Sequence, residues 1–301
     1  WFVYRRYFVE TARMLEAKAE RTLAEGVLYR LYRVLVLGAW DVSEHALVKD
    51  EKAVKTLAGV GIPVACFLHG YAGFIFGSVK ANALWMTPLM PVIFICSAVV
   101  SGIALCIVTY VVTMEIRKLL VAWRRRSNPE LPSPEELKSA ELHVVTMTVK
   151  YLIIFLVLAI TLELLDLIFR GYTAVKSWDI LRSVIYSRDF VKIFVLQYGL
   201  GNALPFVLLL LPRLTIRRAV AGTLLVLMGV FMMRWNVVIG GQAFSSSFAG
   251  FMEYRLPIWP NDWETFKEGL FGALLVATTP FAIFFVLSRI FPLFNSENSH
   301  H

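Results

Sequence analysis

"LLVLMGVFMMRWNVVIGGQ", residues 224–242, begins as an unbroken apolar run and then places Arg234, Asn236 and Gln242 before it ends. Together with the residues back to 216, the stretch is long enough to cross a bilayer as a helix. A guanidinium keeps its charge, and placing one in hydrocarbon costs at least about 2.5–3.5 kcal/mol. The stretch therefore poses two questions: whether the chain is a membrane protein throughout, and what meets the charge of Arg234.

Working outward, the first answer is yes. The chain has 301 residues, of which 58% are hydrophobic and only 17% charged, and its mean hydropathy is +0.65. Soluble domains carry roughly 45–50% apolar residues. The excess lies in six long runs, at 54–78, 86–113, 144–171, 191–212, 216–240 and 270–291. Each spans about 30 Å of hydrocarbon at about 1.5 Å per residue. The fold class is all-α: a polytopic membrane protein of kinked helices in two bundles. Pro63, Pro91, Pro205 and Pro280 fall inside the spans and are expected to bend them.

The net charge of +8 is read as a topology signal, not as a nucleic-acid footprint. Arg117, Lys118, Arg124, Arg125, Arg126 and Lys138 follow the second span, and Arg213, Arg217 and Arg218 follow the fourth. Both loops belong on the cytoplasmic side of an inner membrane. The loop 172–190, with Lys176, Arg182 and Arg188, fits this topology least well. The expected organisation is a cytoplasmic or interfacial amphipathic segment at 1–53, part of a first bundle at 54–113 and a basic linker at 114–143. A second bundle at 144–291 and a tail at 292–301 complete it. Ser133, Pro134 and Glu136 have the spacing of a capping box with a first-turn proline. The opening "WFVYRRYF" resembles the cytoplasmic end of a span, so earlier spans are expected ahead of Trp1.

With this orientation the polar groups of four spans fall at similar depth, toward the outer face. His69 lies past the middle of the first span. Glu163 and Asp166, three apart on one helix face, lie in the outer third of the third span. Gln197, Tyr198 and Asn202 lie in the fourth, and Arg234 and Asn236 in the fifth. Arg234 is expected to pair with Glu163 or Asp166. Blander readings exist for each: His69 bonded to a neighbouring carbonyl, a structural ion pair, interhelical amide bonds, and Tyr198 as an interfacial aromatic.

A buried imidazole, two carboxylates, a guanidinium and amides beside apolar helices suit a quinone, whose head group exchanges protons and whose tail needs an apolar slot. His69 can donate to or accept from one oxygen, and a carboxylate can take or relay a proton. Arg234 can hold that carboxylate ionised and stabilise charge on the head group. His69, Glu163, Asp166 and Arg234 are the candidate catalytic residues; His69, Arg234, Asn236, Gln197, Tyr198 and Asn202 are the candidate quinone contacts. Haem is not expected, because His45, His143, His300 and His301 lie in loops, at a span start or in the tail. Cys66, Cys96 and Cys106 form no CxxC pair and read as packing residues, so no iron–sulfur cluster or other metal is assigned to the chain.

Two stretches carry a resemblance. "GIPVACFLHGYAGFIFGSVKANALWMTPLMPVIFICSAVVSGIAL" (61–105) resembles the signature region of the NrfD/PsrC family, the polysulfide reductase membrane subunits. "MMRWNVVIGGQ" (232–242) resembles a second segment of its longer HybB/DsrP-like branch, nearest to the DsrP-like group of sulfur metabolism. The resemblance implies a cofactor-free protein that exchanges electrons between menaquinone or ubiquinone and an iron–sulfur, ferredoxin-like subunit docked at the outer face. Other membrane and redox subunits of a respiratory complex would join them. It places His69, Asp166 or Glu163, and Arg234 at the quinone and proton-handling site. Family members have further spans before the region matching residue 1, so the site named here lacks whatever those helices supply. A proton- or ion-translocating transporter-like subunit and a purely structural membrane anchor are the alternatives.

Overall fold

The computed structural model describes residues 1–18, 22–79, 82, 84–124, 134–172, 182, 185–186, 189–242 and 257–291. Among these every regular element is helical, and six helices are long and apolar enough to cross a membrane. The described chain runs α1 (Arg5–Ala17), α2 (Leu23–Leu35), α3 (Glu44–Gly77), α4 (Met90–Arg124) and α5 (Pro134–Tyr172). There follow α6 (Val191–Leu210), α7 (Ile216–Gly240), α8 (Trp263–Glu268) and α9 (Leu270–Ile290). Arg125, Arg126, Ser133, Lys176, Arg188 and the tail histidines His300 and His301 lie outside the described residues.

The six apolar runs each became one long helix. Several continue well past the apolar stretch: α3 starts ten residues before 54, and α5 starts at Pro134. Apolarity marks the length in lipid, whereas backbone hydrogen bonding continues into water wherever no breaker stops it. Pro91 does not bend a span. Because α4 begins at Met90, Pro91 sits in the first turn, where its missing N–H leaves no gap. Pro205 marks a change of winding: α6 is π-wound over Val191–Ala203 and α-helical over Leu204–Leu210. A second π segment, Asn236–Gly240, ends α7. Hydropathy gives no sign of either.

Two compact units result, residues 1–64 with 255–301 and residues 65–254. In the first, α1 and α2 pack through Phe8, Val9, Ala12, Tyr32 and Val36. The Tyr32 hydroxyl donates to the Ile290 carbonyl at 2.9 Å, and Phe291 meets Tyr4 and Phe8 edge-on. Burial, with Tyr7 alongside, pushes the Tyr32 phenol above its ordinary range, so it stays a donor. Buried Arg5 donates to Asp50 at 2.6 Å. Thr22 and Glu25 close a capping box on α2.

In the second unit α4, α5, α6 and α7 surround an apolar core that includes Val100, Ala104, Ile107, Val149, Leu152, Leu156 and Val226. Gly201 of α6 faces Gly229 of α7. A Cβ built on Gly201 would lie 2.2 Å from the Gly229 Cα, so only glycine allows this crossing. The α3–α4 connection is tied to the π end of α7. Asn82 donates to the Gly241 carbonyl at 2.8 Å, and the Trp85 indole donates to the Val237 carbonyl. At the other end of α4, Lys118 bridges to Glu115 and to fully buried Glu141 of α5.

Candidate functional site

One end of the second unit holds a cavity with an empty volume of about 820 Å³, including its mouth. Its polar lining comes from Glu163, Asp166 and Arg170 of α5, Asp189 just before α6, Gln197 and Tyr198 of α6, and Asn236 of α7. Met90 and Ile93 of α4 and Met233 of α7 supply part of the apolar wall. The three-residue spacing of Glu163 and Asp166 puts both carboxylates on the cavity face of α5.

Each carboxylate has its own partners. Glu163 accepts a hydrogen bond from the Gln197 amide at 2.9 Å, and the Asn202 amide also reaches it. Gln197 in turn accepts from the Asn236 amide at 2.9 Å. Asp166 accepts from the Thr87 hydroxyl and from Arg170 Nε at 2.8 Å. Thr87 is buried, and the Asp166–Arg170 pair is nearly so, at 13% and 10% side-chain exposure. Lys192, half exposed, bridges to buried Asp189 at 3.0 Å.

The π winding of α6 explains how two amides reach one carboxylate. In an α-helix, at about 100° per residue, positions five apart diverge by about 140°. The i→i+5 bonding of a π-helix brings such positions much closer to one face. Gln197 and Asn202 are five apart and both address Glu163. The Gly201–Gly229 crossing then brings α7 close enough for Asn236 to reach Gln197.

Arg234 does not pair with Glu163 or Asp166. Its Nη2 donates to the Ser97 hydroxyl at 3.4 Å, its Cζ lies 5.6 Å from the Phe94 ring centre, and its buried Nε has no hydrogen-bond partner among the described residues. The counter-ion of Asp166 is Arg170, one turn further along α5, where an i,i+4 pair forms without any approach of helices. The charge at the centre of the opening stretch is therefore met by an aromatic face and one long hydroxyl bond. His69, half-buried on α3, is not among the residues that line this cavity.

A second cavity, with an empty volume of about 930 Å³, shares Leu167 and Tyr198 with the first. It is an apolar groove between α5 and α6, along Val157, Ile160, Leu164, Phe194 and Phe206, with Asn202 at its side. The structure thus gathers Glu163, Asp166, Gln197, Tyr198, Asn202 and Asn236 into two adjoining cavities, and leaves Arg234 and His69 outside both linings. Thr87, Ser97, Arg170 and Asp189 were not singled out in the sequence. Arg170 had a legible signal, its four-residue spacing from Asp166. Among the described residues no group of three or more His, Cys, Asp or Glu is placed to hold a metal.

Fold and site together define a multi-pass helical membrane protein with a carboxylate- and amide-lined cavity at one end. The family model "Polysulphide reductase, NrfD" matches residues 7–246, and the chain belongs to the NrfD family. It is similar to a selenate reductase subunit of Mesobacillus selenatarsenatis, 33% identical over 115 residues. That stretch is 36% of this chain and 25% of the relative, so the match spans about a quarter of the relative's length.

Proposed function

We propose that this chain is the quinone-binding membrane subunit of a respiratory redox complex. The head group sits in the cavity of Glu163, Asp166, Tyr198 and Asn236, and the isoprenoid tail runs along the apolar groove of α5 and α6. The observation that carries this reading is the pairing of the two cavities through Leu167 and Tyr198. One is polar with groups able to exchange protons, and the other is apolar and elongated, the form expected for a ligand with a wet head and a greasy tail. Electrons pass to or from an iron–sulfur partner at the outer face, and Asp166 and Asp189 lie along the way for protons. Arg234 keeps a buried Nε with no hydrogen-bond partner among the described residues, a donor that this reading leaves for a ligand. The quinone is menaquinone or ubiquinone, in an inner membrane. Membership of a family named for polysulfide reductase, and similarity to part of a selenate reductase, support a place in a reductase complex.

Between Lys118–Glu141 at one end of α4–α5 and Asp166 at the other lie Val100, Ala104, Ile107, Val149, Leu152 and Leu156, all buried. A dry apolar core of this kind favours redox chemistry at one end over an ion path through the bundle.

The test is to fill the groove. Ile160→Trp and Leu164→Trp in the intact complex are expected to lower quinol-dependent electron transfer more than tenfold. Transfer from a soluble dye directly to the partner subunits should be unchanged. Full quinol-dependent activity with the groove blocked would refute the assignment.

A further inference from the structure

The hydrogen-bond chain Asn236→Gln197→Glu163 has a direction. An ionised carboxylate only accepts, so Gln197 must turn its Nε2 toward Glu163, at 2.9 Å. Its Oε1 then faces α7 and accepts from Asn236 Nδ2, also at 2.9 Å. Asn236 is left with Oδ1, for which no donor stands among the described residues, and Asn236 lines the cavity. One carboxylate therefore fixes the orientation of two amides and makes the chain's cavity end an acceptor.

The same heavy-atom positions support a second arrangement. A protonated Glu163 gains one O–H donor. If that donor points at Gln197, the Gln197 amide turns over, its Nε2 faces Asn236, and Asn236 turns over in response. The chain then runs Glu163→Gln197→Asn236, and the Asn236 N–H₂ group takes the place of Oδ1 toward the cavity. Only terminal amide rotations are involved, so the close packing of α6 on α7 at Gly201 and Gly229 does not oppose them.

We propose that Glu163, Gln197 and Asn236 form a reversible amide relay that ties the protonation of Glu163 to whether the cavity presents an acceptor or a donor at Asn236. The proposal rests on the quinone reading above and gives that site a means of telling the two redox forms apart. A quinol offers hydroxyl donors and is matched by Asn236 Oδ1, which is presented when Glu163 is ionised and ready to take a proton. A quinone offers carbonyl acceptors and is matched by Asn236 N–H, which is presented once Glu163 carries that proton. Oxidation of the quinol gives up two protons and two electrons. One proton resides on Glu163 and the other leaves past Asp166, while both electrons go to the iron–sulfur partner that the quinone reading supplies. The flip itself moves no electron.

Two further features fit. Asn236 Nδ2 also lies 3.4 Å from the Lys192 carbonyl. Turning the amide over sets two oxygens against each other there, so the resting chain favours the acceptor state that receives quinol. The polar groups that share the cavity lining with Glu163 are Asp166 and Arg170 along α5, Asp189 before α6, Gln197 and Tyr198 on α6 and Asn236 on α7, and Asn202 also reaches it. Of these, the carboxylate nearest along α5 is Asp166, and it is already engaged by Thr87 and Arg170. Gln197 and Asn236 thus act as positioning and discriminating residues through Glu163.

The experiment uses the intact complex in lipid nanodiscs, with 2,3-dimethyl-1,4-naphthoquinone, decylubiquinone and their quinols as probes. Infrared difference spectra on binding report the protonated carboxyl band, assigned by its loss in Glu163→Gln. The parent protein is expected to gain that band with quinone and lose it with quinol. In Gln197→Leu the band no longer depends on the redox form bound, and the ratio of quinone to quinol affinity changes at least fivefold. Asn236→Leu breaks the relay from its other end and gives the same result, which keeps the test available should either variant misfold. Unchanged band response and affinity ratio in a folded variant overturn the relay alone. If the parent binds none of the probes, the quinone reading itself fails.

Discussion

The Gly201–Gly229 crossing sets the geometry of the site, and replacing one glycine by alanine measures it. A Cβ on Gly201 would meet the Gly229 Cα at 2.2 Å and its N at 3.0 Å, where ordinary contact begins near 3.4 Å. The obstructing atoms are backbone on a packed helix, so no side chain can step aside. α6 and α7 must separate by more than an ångström. Overpacking of this kind costs about 1–3 kcal/mol. Pulling α7 back also stretches the Gln197–Asn236 bond of 2.9 Å, which adds about 0.5–1.5 kcal/mol. We expect Gly201→Ala to lose about 2–4 kcal/mol in reversible unfolding in mixed micelles. Gly102→Ala, on α4 with nothing within 4 Å of the new Cβ, should stay within about 0.5 kcal/mol of the parent. Gly201→Ala combined with Gly229→Ala should be non-additive, because both act on one contact. Equal stability of Gly201→Ala and Gly102→Ala would refute the crossing and, with it, the account of how Asn236 reaches Gln197.

Two further predictions concern charges outside the cavity. Lys118→Met leaves fully buried Glu141 without its cation and is expected to cost about 3–5 kcal/mol, whereas Lys118→Met with Glu141→Leu should return stability to about the parent level; chemical unfolding of the three proteins checks this. Hydrogen bonds from Lys18 and then Thr22 hold Glu25 down to about 2 from 4.5. Its contribution is therefore complete above pH 4.5 and lost as pH falls from there through about 2. Hydrogen-exchange protection factors at the first turn of α2, taken relative to the intrinsic rate at each pH, should fall over that window and lose the dependence in Glu25→Gln.

The spans were legible because crossing lipid demands about twenty apolar residues and forbids unpaired backbone, a constraint strong enough to read from hydropathy alone. The gathering of Glu163, Asp166, Gln197 and Asn236 was legible from depth. Depth is one coordinate only; the angle around each helix axis is the other, and single-sequence hydropathy leaves it open in a helix surrounded by apolar groups. Hence the expected bond from Arg234 to a carboxylate failed. Arg234 turns toward Phe94 and Ser97, and Asp166 is met by Arg170 of its own helix. The π windings were invisible for a related reason. They change the angle per residue, which matters only once a neighbouring helix fixes what each angle faces.

The Tyr32–Ile290 bond joins residues 258 apart in the chain. During synthesis α1 and α2 emerge early, but the segment that accepts the Tyr32 hydroxyl and covers Phe8 from beyond α9 arrives only after the last described span has left the ribosome. Until then this apolar hairpin surface stays open. The contact is therefore a late clasp between the two ends of this unit, closed only after the intervening spans have been made.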